Sequence, residues 1–305
     1  MSIRHPFILF IPPVLLSFFF GSAAVRDSRR FVVAKYRIAS PKLRKKCRIV
    51  MLSDLHNKEY GAGNGRLLQA VREQEPDLVL VAGDMVTANG EKTRIREPLA
   101  FLRRLAAEYP VYYGNGNHEY RIKVYREDYG DLYETYAREL RKCGVRLLEN
   151  GRIYLPEYNM EICGLEIERR YYKRLRRTPM DGKYMEKLLG KAKGDCMELL
   201  IAHNPDYFKQ YAAWGADLTL SGHVHGGVMR LPLLGGVISP SVRIFPKYDG
   251  GLYEESGRRM ILGRGLGMHT IPIRIFNPGE LVVVDCAACA PVKNNRKTDS
   301  GKIMS

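Results

Sequence analysis

Arg48-Ile49-Val50-Met51-Leu52-Ser53-Asp54-Leu55-His56 is a stretch of strand length whose apolar run stops at a carboxylate and an imidazole. An apolar run without polar alternation reads as a strand buried on both faces. The same pattern recurs four times. Asp77-Leu78-Val79-Leu80-Val81-Ala82 delivers Gly83-Asp84, and Val111-Tyr112-Tyr113 delivers Gly114-Asn115-Gly116-Asn117-His118-Glu119. Glu198-Leu199-Leu200-Ile201-Ala202 ends at His203, and Asp217-Leu218-Thr219-Leu220 leads into Ser221-Gly222-His223-Val224-His225-Gly226-Gly227. Helical periodicity falls between these runs, at 65–75 (Leu67, Leu68 and Val71 on one face), 94–108, 131–142 and 205–214. The β-α-β-α-β order predicts a layered α/β fold with ligands at the carboxyl ends of strands. A hairpin is expected at 152–155 and 160–165. Further strands are expected near Leu252, at 259–262 and at 280–284.

Of the seven histidines, five (His56, His118, His203, His223, His225) follow these apolar runs in short polar motifs. With Asp54, Asp84 and Asn117 they are eight hard or borderline metal ligands. A lone histidine is commonly a hydrogen-bonded core residue. Five in such positions are too many costly polar groups for a core to carry without a use, and a metal centre supplies one.

Composition bounds the rest. The 305 residues suit one large domain or two small ones, and 45% hydrophobic content supports a real core. The formal charge of +16, from 49 basic and 33 acidic residues, favours a polyanionic partner such as phosphate groups, nucleic acid or an anionic surface. The six cysteines are scattered. Cys286-Ala-Ala-Cys289 has CxxC spacing but no second pair, and nothing suggests a disulfide framework. Residues 1–6 form a short tail. Residues 7–25 carry no charge and are mostly apolar, which predicts a transmembrane anchor or a cleaved signal segment, the anchor being favoured over cleavage. Five basic residues follow it against one before, so the charge bias keeps the large domain on the cytoplasmic face of a single-pass protein. Residues 26–47 read as a basic linker, 48–286 as the domain and 287–305 as a disordered tail. Arg169 to Arg177 holds six basic residues in nine. It reads as a solvated loop, a phosphate-binding segment or a membrane contact.

The ordered set Asp54-x-His56, Gly83-Asp84, Gly116-Asn117-His118-Glu119, Ala202-His203 and Gly222-His223-x-His225 resembles the signature blocks of the calcineurin-like metallophosphoesterase superfamily. Ser53-Asp54-Leu55-His56-Asn57, the later Gly263-Arg264-Gly265-Leu266-Gly267 and Pro272-Ile273-Arg274 are similar to a bacterial, membrane-associated branch that includes UDP-diacylglucosamine pyrophosphatases. The resemblance implies a four-layer α-β-β-α sandwich with a dinuclear metal site at the sheet edge, and two divalent metal ions (Mn, Fe or Zn). It implies one metal on Asp54, His56, Asp84 and His225, and a second on Asp84, Asn117, His203 and His223, with Asp84 bridging. His118, beside Asn117, is then the catalytic non-ligand histidine at the leaving oxygen. The implied chemistry is attack of a metal-bridging hydroxide on a phosphodiester, pyrophosphate or phosphomonoester, with lipid- and nucleotide-linked substrates both in view. Asn57, Arg264, Arg274 and His269 are candidate substrate contacts. A nuclease or nucleotide phosphodiesterase is the alternative enzyme, although no nucleic-acid module accompanies the domain. A non-catalytic metal scaffold is the alternative outside enzymes. No protein partner is implied. One departure stands out: Thr87 occupies the position, three after Asp84, where many relatives carry an acid. If that acid orients the histidine, Glu119 or another group must do so here.

Overall fold

The structure is a computed structural model that describes residues 13–173, 177–227, 229–231, 235–237, 246–268 and 273–289. Helix α1 (Pro13–Ser28) is followed by β1 (Phe31–Ser40) and β2 (Cys47–Leu52). Then come α2 (Gly65–Arg72), β3 (Leu78–Ala82), α3 (Arg96–Ala106), β4 (Val111–Gly114), α4 (Asn117–Val124), α5 (Arg126–Tyr129) and α6 (Leu132–Lys142). The second half runs β5 (Arg146–Leu147), β6 (Gly151–Leu155), β7 (Met160–Leu165), α7 (Tyr184–Leu189), β8 (Met197–Ala202), α8 (Phe208–Trp214) and β9 (Leu218–Ser221). A small ladder of β10 (Arg230–Leu231) and β11 (Gly235–Gly236) precedes β12 (Gly251–Glu255), β13 (Arg258–Leu262) and β14 (Gly279–Ala288).

Twelve of these strands form two six-stranded sheets, ordered β1-β14-β2-β3-β4-β5 and β12-β13-β9-β8-β7-β6. Each contains a run of parallel strands: β2 to β5, reaching one edge, in the first, and β7, β8, β9 and β13 at the centre of the second. Strand alternation sorts side chains between the two faces. Ile49 and Met51 of β2 face Ile162, Leu199, Ile201 and Leu220 of the other sheet, while Val50 and Leu52 pack with Leu67, Leu102 and Leu140 of the covering helices. On the far side, Cys163, Leu200 and Met260 pack under Met185, Leu189, Phe208 and Tyr211 of α7 and α8. The layers are therefore helix, sheet, sheet, helix. Both faces of the central strands are buried, which is why those strands are continuously apolar in sequence.

Two expectations are corrected at the amino-terminal side. Residues 31–40, expected inside a basic linker, form edge strand β1, paired in parallel with β14 along its whole length. Its Lys35 and Arg37 point outward on alternate positions. Charges on a sheet edge discourage further pairing, and here they gave the segment the look of a connector. β14 likewise continues to Ala288, past the expected domain end. The second correction concerns the membrane. Among the described residues no helix is long and apolar enough to cross one. The described part of α1, Pro13–Ser28, does not qualify. Its last turns are docked instead: Ala23 and Asp27 are buried, and the Phe19 and Phe20 rings pack against Phe276, tilted and edge-on. The expectation of a single-pass membrane protein is overturned on this finding. Residues 1–12 and 290–305 lie outside the described residues.

Candidate metal centre

Every motif loop leaves the carboxyl end of a parallel strand, so all converge on one edge of the sandwich. β2 brings Asp54 and His56, β3 brings Asp84, β4 brings Asn117 and His118, β8 brings His203, and β9 brings His223 and His225. Three ligand groups lie within reach of single points: Asp54 with His56 and His225, Asp84 with His203 and His223, and His56 with Asp84 and His118. Nε2 of His225 is 3.6 Å from the Asp54 carboxylate, and Nε2 of His56 is 3.8 Å from that of Asp84. Nε2 of His203 is 3.0 Å from Oδ2 of Asp84. Asp84 is therefore in touch with both halves of the cluster.

The loops are held in unusual backbone shapes. Among the described residues twelve non-glycine residues have positive φ, and six of them are Asp54, His56, Asn57, Asp84, His223 and His225. Such conformations cost on the order of 1–3 kcal/mol each and persist only where surroundings over-determine them. The surroundings are visible. Backbone N–H groups of Asp54, His56 and Asn57 donate to the carbonyls of Gly83, Asp84 and Met85, zipping two loops together. The His223 N–H donates to Asp54, and the His118 N–H donates to Asp84. Glycine is required where loops touch: a Cβ on Gly83 would come 2.5 Å from the Gly116 Cα, and one on Gly265 2.7 Å from the Asp54 Cβ.

Glu119 has a role that spacing alone did not reveal. It is fully buried and accepts the backbone N–H groups of Asp84, Met85, Val86 and Gly116 and the Tyr113 hydroxyl. It braces the Asp84 loop and does not orient His118. The Ala88 N–H, at 2.9 Å, donates to Nδ1 of His118. A backbone amide is thus the other group that contacts His118 where Glu119 was one candidate. Because that nitrogen accepts, a neutral His118 carries its proton on Nε2. Thr87, at the departing position, contacts Nδ1 of His56 at 3.2 Å.

The charges fit a cation-binding cluster. Burial pushes the Asp54 carboxyl up to about 6, with Asp84 adding to the rise. Burial alone would raise Asp84 too, but His203 and His118 hold it well below the usual carboxylate range. Burial opposes charge on His203, yet Asp84 and Asp54 raise it to about 10. The two buried carboxylates thus favour positive charge at the position of His203.

The expected substrate contacts fare differently. Arg264 is engaged by Glu280, at 2.8 Å. Arg274 is fully buried and donates to the carbonyls of Arg264, Gly265, Gly267, His225 and Asn277. Five carbonyl acceptors surround this guanidinium, a candidate for phosphate contact, and tie it to the 264–267 loop. The Asn57 amide is spent on the Arg94 carbonyl and the Thr87 N–H. His269 lies outside the described residues. Tyr172 was missed. Its ring centroid lies 5.2 Å from that of His223 and 6.3 Å from that of His203. The only sequence signal was its place in the basic stretch from Arg169 to Arg177.

With this geometry in hand, the comparisons with known proteins identify the class. The sequence profile of the calcineurin-like phosphoesterase family matches residues 47–227, and the chain belongs to that family. It is 29% identical over 248 residues to an uncharacterized metallophosphoesterase of Helicobacter pylori, covering 79% of this chain and 60% of that protein. It is 29% identical to a transmembrane protein with metallophosphoesterase domain of Danio rerio, covering 77% of this chain and 52% of that protein. It is also 26% identical to the uncharacterized metallophosphoesterase YkuE of Bacillus subtilis, covering 77% of each. The chain thus spans about half to three fifths of the first two relatives' length. The domain is a metallophosphoesterase domain, and proteins of this family use a dinuclear metal site.

Proposed function

We propose that the protein is a metal-dependent phosphohydrolase. In this reading one divalent cation is held by Asp54, His56, Asp84 and His225. The other is held by Asp84, Asn117, His203 and His223. The observation that carries the reading is the pair of ligand groups joined through Asp84. The donor set fits: imidazole, carboxylate and amide oxygen together suit Mn, Fe or Zn better than Ca or Mg. Oδ1 of Asn117 supports the second group, since it is buried without a hydrogen-bond partner, a costly state that a cation would relieve.

Two bound cations would supply an acidified water as nucleophile and neutralise charge on the phosphoryl oxygens. The protein's own residues do the rest. Glu119 and the Gly83–Gly116 contact hold the Asp84 loop in register. His118, its Nδ1 tied to Ala88, offers the Nε2 proton to the leaving oxygen, a contribution of typically 10²–10⁴-fold for such catalysis. The +16 charge draws anionic substrates. The substrate in this reading is a phosphodiester or pyrophosphate carried on a lipid or a nucleotide.

The test is hydrolysis of bis(p-nitrophenyl) phosphate by the full chain with Mn²⁺. Turnover that EDTA abolishes, and that Asp84→Ala removes together with the metal, supports the proposal. Two bound metals with no turnover across a broad phosphoester panel would leave a metal-binding scaffold in its place.

A further inference from the structure

The last turn of α1 is wired to the site loops from two sides. Asp27, fully buried, accepts the Asn277 N–H through Oδ2 at 3.1 Å. The Asn277 amide in turn donates to the carbonyls of His225 at 2.8 Å and Gly227 at 2.6 Å. It therefore grips the turn that presents the His225 imidazole on both sides of Gly226. That imidazole is also fixed by its Nδ1 contact with the Gly267 carbonyl at 3.1 Å. On the other flank, Lys58, two residues after His56, donates to the Ser28 carbonyl at the end of α1. The Tyr60 hydroxyl reaches the Leu266 carbonyl at 2.5 Å, and Phe31, just past α1, packs edge to face on the Tyr60 ring. Two loops that carry candidate ligands thus both close on residues 27–31, which lie before the residues matched by the family profile.

An ordinary surface helix would not need these contacts. A buried aspartate is costly unless its oxygens are satisfied. Arg26 and Arg30 take one oxygen of Asp27, and the backbone of the site-loop neighbour takes the other. His225 itself stands at φ +53° and Phe276 at φ +53°, so the segments joined by Asn277 need external support to hold their shape.

We propose that Asp27 and Asn277 are positioning residues of the metal centre, holding the His225 ligand through the relay Asp27, Asn277, His225 carbonyl. The proposal rests on the metal-centre reading. It assigns to α1 a part in one half of that centre: the group of Asp54, His56 and His225 feels the relay, and the group of Asp84, Asn117, His203 and His223 does not.

The experiment is Mn²⁺ binding to the full-length chain, followed by calorimetry and by electron paramagnetic resonance, for wild type, Asp27→Ala, Asn277→Ala and the double variant. Two equivalents on the wild type are expected. Each single variant weakens one equivalent about tenfold and leaves the other within twofold, and the double variant is no worse than Asn277→Ala. Arg26→Ala, which removes one exposed partner of Asp27, binds both as wild type does. Amide hydrogen exchange of residues 225–227 in the metal-free protein gives a second readout, expected to accelerate about tenfold in Asp27→Ala. Equal weakening of both equivalents, additive losses in the double variant, or unchanged exchange at 225–227 in Asp27→Ala overturns the relay. Absence of Mn²⁺ binding by the wild type overturns the metal-centre reading itself. Should Asn277→Ala fail to fold, Asp27→Ala and the exchange measurement still decide.

Discussion

Replacing Glu119 by Gln isolates the brace beneath the Asp84 loop. The glutamate accepts four backbone N–H groups and a hydroxyl on two oxygens. One oxygen takes Asp84 and Gly116. The other takes Met85, Val86 and Tyr113. A glutamine keeps one oxygen and turns an NH₂ toward the other set. Its better orientation sets the NH₂ against the Asp84 and Gly116 N–H groups, leaving two buried donors facing a donor. Each such group costs about 1–3 kcal/mol, so a loss of about 2–6 kcal/mol is expected. For domains near this size that is about 2–4 °C per kcal/mol, a fall in Tm of roughly 5–20 °C. The loop carrying Asp84 relaxes at the same time, so Mn²⁺ affinity falls. Thermal unfolding in EDTA and a Mn²⁺ titration check both. A Glu119→Gln protein within 1 kcal/mol of wild type, with unchanged metal affinity, would refute the brace.

Other expectations follow from the same geometry. His118→Ala keeps both metals by elemental analysis yet loses about 10²–10⁴-fold in kcat, whereas loss of metal would make His118 a ligand. In the metal-free protein the contribution of the buried site cluster to stability falls as pH rises, opposed above about pH 8 by Lys58, whose pKa burial lowers to about 8. Asp54 (3.8 to about 6), Glu119 (4.5 to about 7) and His203 (6.5 to about 10) all hold their protons more tightly when folded, so their stabilisation is present at acid pH and lost between about pH 4 and 10. Denaturant midpoints across that range, without and with Mn²⁺, show the slope in the first case and a flatter profile in the second. Asp84, held low, acts only below that window. Arg274→Met strips donors from five carbonyls and costs about 3 kcal/mol or more. A change confined to KM at wild-type stability would restore Arg274 as a substrate contact.

The sequence by itself determined the alternation of apolar strands and amphipathic helices, and where the chain's chemistry sits. Strands buried on both faces must be apolar throughout, and their ends must carry whatever the site needs. Arg48–Ser53 and the histidine motifs were therefore legible without coordinates. Edge strand β1 was not, because a strand with one exposed face and charges at alternate positions looks like a linker until β14 is seen beside it. Nor could residue type decide what each arginine does. Arg264 and Arg274 have the chemistry to hold phosphate, and their neighbours, Glu280 and a ring of backbone carbonyls, are visible only in the tertiary structure. The orienting group for His118 was invisible for a related reason: it is a backbone N–H, which every residue but proline possesses. Spacing named the side chains that gather at the sheet edge. Which of them touch, and which distant segments such as Asp27 hold them in place, is a property of packing between elements far apart in the chain, and only the tertiary structure decided it.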